Sequence, residues 1–480
     1  MQSIWNPLLI LLTGRTNNVS QISNIAIDIA LKTLPLAQKG FGLALVAGIS
    51  PRNINYELDI LSGVSGIKWK AVTKGETYIE VEYVVTGNSS PLSVSRTGSG
   101  TSADPYLISV HLATNGTGVA TSTAAQIKTA AEGVNEVGGS SKIITLSLLE
   151  NPGNGIVTTF QKLFLVDPTD PYLEIQDADE LLDPAIGYSQ TSSEYKMAQA
   201  IFSGSPRAEK IAVVKLDSFG TLPQELADLR NDGFDSWYCL LTTTRVLSEI
   251  KIASTYLNSL EKYYICGTAD QSIVNELINH ERTLPMISNH SEEFPDAAWF
   301  GRCGSAAIGS IQWDSKQLNG QRNSDVTMSE QSQILAKNGN LIREMGGVNV
   351  TWEGKTLSGQ YIDNIHGRDY LKARLQEAYH SLKINNDKIP MTISGLRMVE
   401  AALREVFRDC GRREIIAKVE DADGRSRSDL GDFQYKLSMP ETISDIPTND
   451  RANRKVPQIK FSAAIGGGIN KIEISGTMGV

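Results

Sequence analysis

The sequence has few of the residues, and none of the short motifs, that mark common enzymes. Its 480 residues include only five histidines, and no GxSxG nucleophile elbow, HExxH zinc helix or GxGxxG loop occurs. Gly354-Lys355-Thr356 resembles the end of a P-loop, but Asn349 stands where the first glycine of that motif belongs. His280 and His290 could converge with Glu281 on a metal, although scattered surface or core histidines are the simpler interpretation. We therefore expect no enzyme and no cofactor; a hydrolase with dispersed catalytic residues is the alternative.

Excess positive charge, long apolar runs and paired cysteines are also missing. The formal net charge is −9, which argues against direct nucleic-acid binding because a basic surface supplies most of that affinity. The apolar run Leu8–Leu12 is far shorter than the about 20 residues that cross a bilayer, so we expect no membrane insertion. Four isolated cysteines are predicted to be buried free thiols of a protein that folds in the cytoplasm: Cys239, Cys266, Cys303 and Cys410.

What the sequence does contain is a strand pattern near each end. Four apolar residues alternate with small or polar ones near the start, and shorter alternations near the end are joined through Gly466-Gly467-Gly468. This period of two predicts strands buried on one face. Each strand can fold back onto its own sheet or add to the open edge of a neighbour's sheet. The residues concerned are Ile25, Ile27, Ile29 and Leu31 at the start, and Ile459–Phe461, Ile472 and Ile474 at the end.

The middle of the chain alternates strand and helix patterns from Phe160 to about Gly309, which predicts an α/β domain with a largely parallel sheet. Phe41–Ala47 is a continuous apolar run and predicts a fully buried strand. The strand candidates are Lys162–Val166, Lys210–Leu216, Trp237–Thr242, Tyr263–Gly267 and Pro285–Ser288. The helix candidates are Ser193–Phe202, Leu222–Arg230, Val246–Leu260 and Gln271–His280.

Residues 64–137 are rich in Ser, Thr, Gly and Val, and we interpret them as an inserted β-rich module. Thr123 and Gln126 have the spacing of a capping box, which predicts a short helix to about Ala131. The predicted strands of this module are Tyr78–Val85, Leu92–Arg96 and Tyr106–Leu112.

The C-terminal part predicts a hairpin followed by two amphipathic helices. Val348, Val350 and Trp352 alternate, Glu353-Gly354 supplies a turn, and Leu357–Ile362 would be the returning strand. The apolar face of the first helix comprises Tyr370, Leu371, Leu375, Ala378, Tyr379 and Leu382. The second helix places Leu396, Val399, Leu403, Val406, Phe407 and Cys410 on one face and Arg397, Arg404 and Arg408 on the other.

Several stretches together resemble contractile phage tail sheath proteins. These are Ile22–Gly48 with its alternating strand and Pro35, Phe294–Arg302, Gly346–Arg374, Asp387–Pro390, and the tail from Val456 to Val480. The resemblance covers nearly the whole chain, and residues 64–137 are similar to insertions seen in such sheaths. Residues 1–20 precede the usual start of such proteins, and the Ser/Arg-rich loop Asp423–Asp429 departs from their pattern.

The resemblance implies a structural subunit that polymerises as a helical tube around an inner tail tube and contracts to drive that tube through the host envelope. Ile25, Ile27, Ile29 and Leu31 would form a donated strand, as would Ile472 and Ile474. The hairpin of Val348, Val350 and Trp352 would receive such strands. The Arg397, Arg404 and Arg408 stripe either contacts acidic groups of the inner tube or is a solvated helix face.

The implied partners are further copies of the chain in stacked rings, the inner tail tube protein, and baseplate and tail terminator proteins. The subunit would assemble in the bacterial host cytoplasm and reside in the virion, with a tail-like bacteriocin or injection particle equally compatible. Another virion or baseplate protein is the structural alternative.

The expected fold class is a multidomain α+β and α/β chain with intersubunit β-strand exchange. The expected boundaries are an N-terminal arm at 1–34, an α/β sheath domain at 35–63 and 138–344, and the inserted module at 64–137. A tube-facing α+β domain would occupy 345–455 and a C-terminal arm 456–480.

Overall fold

The computed structural model describes residues 40–62, 65–75, 77–134, 141–149, 153–165, 171–420, 433–456 and 459–468. These residues fall into two units. The first contains the described residues within 40–46, 200–212 and 217–468, and the second those within 47–199 and 213–216. Helices and strands are numbered below in chain order.

A six-stranded sheet lies at the centre of the α/β part. Its strands are β1 (Ala44–Gly48), β9 (Tyr172–Ile175), β10 (Ile211–Lys215), β11 (Cys239–Thr242), β12 (Tyr263–Thr268) and β13 (Thr283–Ile287), in the order β13-β12-β11-β1-β10-β9. β12 runs parallel to both β11 and β13. Every residue of β1, β11, β12 and β13 is buried, as expected for strands covered on both faces. The α/β class predicted from the alternating pattern is confirmed, but the predicted strand Lys162–Val166 does not belong to this sheet: Phe160–Phe164 pairs with Ile79–Val84 in the β-rich part.

The helices of this part are α2 (Ser193–Phe202), α3 (Leu222–Asn231), α4 (Leu247–Asn258), α5 (Ile273–Glu276), α6 (Pro295–Cys303) and α7 (Met328–Ala336). The boundaries of α2 agree with the prediction. Helix α5 is much shorter than the predicted Gln271–His280, because Asp270 accepts from the backbone of Ser272 in a turn before it and Asn279 adopts φ 67° after it. Helix α6 was not predicted.

The β-rich part lies in the second unit and forms two sheets around a shared core. Strands β2 (Asn55–Ser62), β3 (Ser65–Lys74) and β7 (Ile144–Leu148) form one sheet in the order β2-β3-β7. Strands β4 (Ile79–Val84), β5 (Ser93–Thr97), β6 (Tyr106–His111) and β8 (Phe160–Phe164) form the other in the order β5-β6-β4-β8. Helix α1 (Ala124–Ala131) begins with the predicted capping box at Thr123.

The core of the β-rich part reaches beyond residues 64–137 on both sides. It includes Tyr56 before that range and Leu146 and Leu165 after it. At its centre the indole nitrogen of Trp69 donates to the hydroxyl of Tyr83 over 3.1 Å, so a polar atom buried in this core has a partner.

The C-terminal elements all belong to the first unit. They are β14 (Leu341–Met345), β15 (Val348–Trp352), α8 (Ile362–Ile384), α9 (Ile393–Arg412), β16 (Tyr435–Ser438), α10 (Thr448–Ala452) and β17 (Lys460–Ala463). The predicted return strand Leu357–Ile362 is wrong. β15 pairs instead with the preceding β14, and α8 begins at Ile362. The two-residue turn Gly346-Gly347, with φ 60° and 82°, joins β14 to β15. After the predicted turn, the N–H of Leu357 donates to the carbonyl of Thr283 over 3.0 Å and not to β15.

Candidate assembly surface

The β14–β15 hairpin has a closed base and an exposed tip. Near the base, the N–H of Thr351 donates to the carbonyl of Lys316 over 2.9 Å, and Ser324 donates to Ile342 over 2.8 Å, so both outer edges are partly occupied. At the tip, Met345 and Val348 face each other and are 42% and 41% exposed. Backbone groups of the hairpin are therefore open to a further strand chiefly towards the tip.

Trp352, another of the residues predicted to receive a strand, is engaged within the hairpin. The guanidinium of Arg343 on β14 lies 3.3 Å from the centre of the Trp352 ring. Val350 pairs with Arg343 in the register of the two strands. The contact between Arg343 and Trp352 orders these two side chains on one face of the hairpin, so a strand added to the hairpin would lie beside side chains that are already in place.

Helices α8 and α9 pack together and carry the apolar faces that the sequence predicts. Tyr370, Leu371 and Leu375 are buried on α8, whereas Ala378, Tyr379 and Leu382 are only partly buried. Leu396, Val399, Val406, Phe407 and Cys410 are buried on α9, and Leu403 is partly buried. The hydroxyl of Thr392 caps the start of α9 by accepting from the N–H of Gly395.

A second two-stranded sheet, β16–β17, rests on α9. The ring of Phe407 stacks on Tyr435 of β16 with centroids 4.7 Å apart and lies 5.2 Å from Phe461 of β17. Tyr435 pairs with Ala463, and Leu437 with Phe461, so these four side chains share the face towards α9. Phe461 is nevertheless 49% exposed. No third strand is paired with this sheet in the part of the chain that the structure describes.

The base of this sheet is tied to the end of α9. Ala417 donates its N–H to Ala464 over 2.9 Å, and Gly466 donates to Ile415 over 3.0 Å. The same stretch is bonded to Gln434, whose N–H reaches the carbonyl of Ala417 over 2.8 Å. The end of β17 is therefore held, while the run from Lys460 to Ala463 bonds only β16 among the described residues.

An open groove of about 1270 Å³ runs beside β17 within the first unit. Its walls come from the segment 305–312, from α8, from residues 414–416, and from β17 with the three glycines that follow it. Its apolar surface includes Leu371, Leu375, Ile416, Phe461 and Ile465, of which Ile465 is 60% exposed. An exposed apolar groove of this kind marks a surface that another chain segment can cover.

Charged groups line the same groove. Asp363, in the first turn of α8, has a raised pKa because burial penalises its charge. Arg368, which also lines the groove, donates to Glu281 over 2.6 Å. A segment entering the groove would thus meet both apolar and charged side chains, as at many protein interfaces.

The arginine stripe of α9 is engaged in ion pairs along the helix. Arg397 and Arg404 lie 2.6 and 2.8 Å from Glu400, and Arg408 lies 3.6 Å from Glu405. The hydrogen bond from Arg404 is the main reason that the pKa of Glu400 is lowered. Arg397 and Arg408 remain 66% and 51% exposed, so their guanidinium groups can still reach a partner.

Helix α8 is fixed to the α/β part of the same unit by a buried polar cluster. Tyr238 donates to Asp369 over 2.7 Å, and Arg282 donates to the other oxygen of Asp369 over 3.1 Å. Burial opposes the charge of Arg282, but its bonds to Asp369 prevail and raise the pKa of the guanidinium. All three side chains are buried, so this cluster holds the helix in one place.

His366 lies one turn before Asp369, in an aromatic pocket. Its ring is 4.7 Å from Tyr263, 5.3 Å from Tyr238 and 5.5 Å from Trp313. Burial lowers the pKa of His366 to about 4, with Asp369 opposing and Arg282 reinforcing the shift. The imidazole is therefore neutral at physiological pH and contributes packing.

Residues considered for chemistry have separate local partners. His280 hydrogen-bonds Ser254 over 2.8 Å, whereas Glu281 pairs with Arg368. The N–H groups of Lys355 and Thr356 bond Asn340 and Gln360, so they are not free to cradle a phosphate. No metal-suited cluster of three His, Cys, Asp or Glu side chains occurs among the described residues.

All four cysteines are buried and unpaired, as predicted. Burial raises the pKa of Cys303 and Cys410 to about 12, which keeps these thiols protonated. Among the helices that the structure describes, none is long and apolar enough to cross a membrane.

Several predicted strand residues fall outside the described part of the chain. They are Ile25, Ile27, Ile29, Leu31, Ile472 and Ile474. The sequence interpretation missed β16 as a partner of β17, although Phe433, Tyr435 and Leu437 alternate in the period of a strand. It also missed the groove, whose walls come from four separate segments.

Comparisons with known proteins bear on the C-terminal part most directly. Residues 362–478 match the family model described as "E217 tail sheath protein gp31-like, C-terminal domain". A chain in a solved structure, "Cryo-EM structure of the anti-feeding prophage (AFP) baseplate, 6-fold symmetrised", is 12% identical with a TM-score of 0.49. That likeness covers 65% of this chain and 90% of the other. No curated protein matches the sequence.

Proposed function

We propose that this chain, whose residues 362–478 match the tail sheath C-terminal domain family, is a structural subunit of a contractile tail sheath. The family match is the observation that carries the proposal, because it covers α8, α9, β16 and β17 in one continuous stretch. It confirms the resemblance that the sequence suggested for this part of the chain.

The subunit would polymerise by β-strand exchange. The β16–β17 sheet supports this proposal, because among the described residues one edge of β17 has no strand partner and lies beside an apolar groove. Each added backbone hydrogen bond contributes about 0.5–1.5 kcal/mol net, and each fully buried isoleucine about 1.5–3 kcal/mol before ordering costs. A strand carrying Ile25, Ile27 and Ile29 from one neighbour, or Ile472 and Ile474 from another, has the alternation that such an edge accepts. The tip of the β14–β15 hairpin is a second acceptor edge.

Repeated head-to-tail contacts whose rotation does not close would produce a helical tube. In this arrangement residues 345–455 would face an inner tube, with Arg397 and Arg408 on the exposed face of α9 available to acidic groups there. Contraction would be a rearrangement of the same subunits into a packing of lower free energy, with the exchanged strands keeping neighbours joined. Residues 54–165 would form an outer decoration.

The test is polymerisation followed by electron microscopy. The purified chain should form long striated tubes at high protein concentration. Chains lacking residues 1–31 or residues 469–480 should stay folded and monomeric by circular dichroism and light scattering. Unfolding caused by either deletion would place the strand in the subunit's own core and contradict strand exchange. Closed rings of fixed size from the full chain would favour a baseplate protein instead.

A further inference from the structure

Residues 469–480 follow directly on three glycines that line the groove beside β17. These glycines are Gly466, Gly467 and Gly468. Any other segment that covers the apolar residues of the groove in an unassembled subunit would compete with residues 469–480, which are tethered at the groove.

Gly466 and Gly468 each lie close to another residue that lines the groove. A Cβ on Gly466 would lie 2.3 Å from the carbonyl oxygen of Glu414, a backbone atom that cannot turn aside. A Cβ on Gly468 would lie 1.6 Å from the amide nitrogen of Gln312 on the opposite wall. At Gly467, in contrast, no described residue lies within 4 Å of such an atom. Gly466 is thus needed for the backbone to lie against Glu414, whereas the flexible side chain of Gln312 could turn away from a Cβ at Gly468.

Residues 469–480 suit the groove in length and chemistry. Residues 469–480 can reach up to about 40 Å when extended. Ile469, Ile472 and Ile474 supply apolar side chains, and the only charged side chains, Lys471 and Glu473, are of opposite sign. A short flexible connector also gives a tethered segment an effective concentration of about millimolar, well above the micromolar concentrations at which a purified subunit is handled.

We propose that in the free subunit residues 469–480 occupy the groove of their own chain, and that assembly requires this segment to leave. The inference rests on the proposed function, since it names the regulation of the same acceptor surface. A subunit whose groove is filled by its own tail does not nucleate a tube, and the first neighbours displace the tail by offering strand pairing in addition to the apolar contact. Polymerisation therefore begins with a lag and then proceeds on existing ends.

Cross-linking of the full-length chain tests the first step. Ser310 is exposed and lines the groove, and Ser475 lies between the apolar residues of the tail, so cysteines at both positions leave the apolar contacts intact. The four native cysteines are buried and will not compete for a short bismaleimide. The matched control carries its first cysteine at Ser332 instead of Ser310. Ser332 is an exposed serine of α7 that does not line the groove.

We expect S310C/S475C monomers to cross-link within one chain, with a yield independent of protein concentration and about tenfold above that of S332C/S475C, as tethering predicts. The cross-linked monomer should fail to polymerise, whereas the uncross-linked variant should polymerise normally. Yields equal to the control would overturn the inference and leave the sheath assignment standing if tubes still form. Cross-linking within the chain without tubes under any condition would instead contradict the sheath assignment. Dimers that increase with concentration would assign the groove to a neighbour's tail and also refute the inference.

Discussion

Acid should destabilise the first unit through His366, and the size of the effect follows from its pocket. In the unfolded chain a histidine takes up a proton near pH 6.5, whereas in the fold burial lowers the pKa of His366 to about 4. Above pH 6.5 both states are neutral and His366 adds no pH dependence. Between pH 6.5 and 4 the unfolded state binds the proton and the folded state does not, so stability falls as pH falls. At about 1.4 kcal/mol per pKa unit the loss between pH 7 and pH 5 is about 2 kcal/mol.

Other groups titrate in the same range, so the assay is a difference measurement. Urea unfolding followed by tryptophan fluorescence at several pH values would be compared for the natural chain and His366→Phe. An aromatic ring fits a pocket formed by Tyr238, Tyr263 and Trp313 and carries no proton. The difference in unfolding free energy should change by about 2 kcal/mol between pH 7 and pH 5. The control is His380→Gln, on the partly exposed half of α8. A difference that stays constant with pH would refute the buried, neutral state assigned to His366.

Three further outcomes follow from the assembly surface and its support. Phe407→Ala removes the ring beneath β16–β17 and should cost about 3–5 kcal/mol, measured by thermal unfolding, with Phe407→Leu losing clearly less; equal losses would contradict the stacking role. Asp369→Asn leaves Arg282 buried without its counter-charge and should cost about 3–5 kcal/mol in urea unfolding, and a loss below about 1 kcal/mol would show the cluster to be dispensable. Arg397→Glu with Arg408→Glu should weaken co-sedimentation with inner tubes and lower the unfolding free energy by about 1 kcal/mol at most, because each reversal replaces an exposed ion pair by a like-charge pair; intact tube binding would make the stripe a solvated helix face.

The buried strands were predictable because a sheet covered on both faces selects an uninterrupted apolar run, as in Phe41–Ala47.

Helix α6 was not predictable by the same means. Eight of its nine residues are buried, including Asp296, so no polar face interrupts the apolar one. Arg245 meets the carboxylate of Asp296 at 3.0 Å, a contact from fifty-one positions away that no local pattern reveals. Gly301 is required there because a Cβ would lie 2.2 Å from the carbonyl oxygen of Ile201.

The hairpin shows how a correct strand can receive the wrong partner. Val348–Trp352 was predicted from its alternation, but the turns on its two sides are alike: Glu353-Gly354 adopts φ 85° and 71°, and Gly346-Gly347 adopts 60° and 82°. Distant contacts decide between the two partners. Lys355 donates its N–H to Asn340 and Leu357 donates to Thr283, so the segment after the second turn is bonded elsewhere and β14 pairs with β15. The groove lay beyond any such pattern, because its walls come from segments that lie far apart in the sequence and meet only in the fold.

In the proposed sheath, the contrast between the fixed and the open parts of the first unit bears on how a subunit would move without coming apart. Breaking the Asp369 cluster would leave a charge buried without a partner, so α8 is expected to move with its α/β support as one body. The β17 edge has the opposite character, because among the described residues its strand pairs only with β16, so a neighbour's strand would add there without opening the core of the subunit. A large rearrangement between subunits would then be absorbed in the connectors that lead to the exchanged strands. For that reason we expect proline substitutions at Ala37 and Gln38, in the sequence between the predicted N-terminal strand and β1, to slow contraction of assembled tubes by restricting the backbone there. If contraction is unchanged, the rearrangement takes place within the subunit instead.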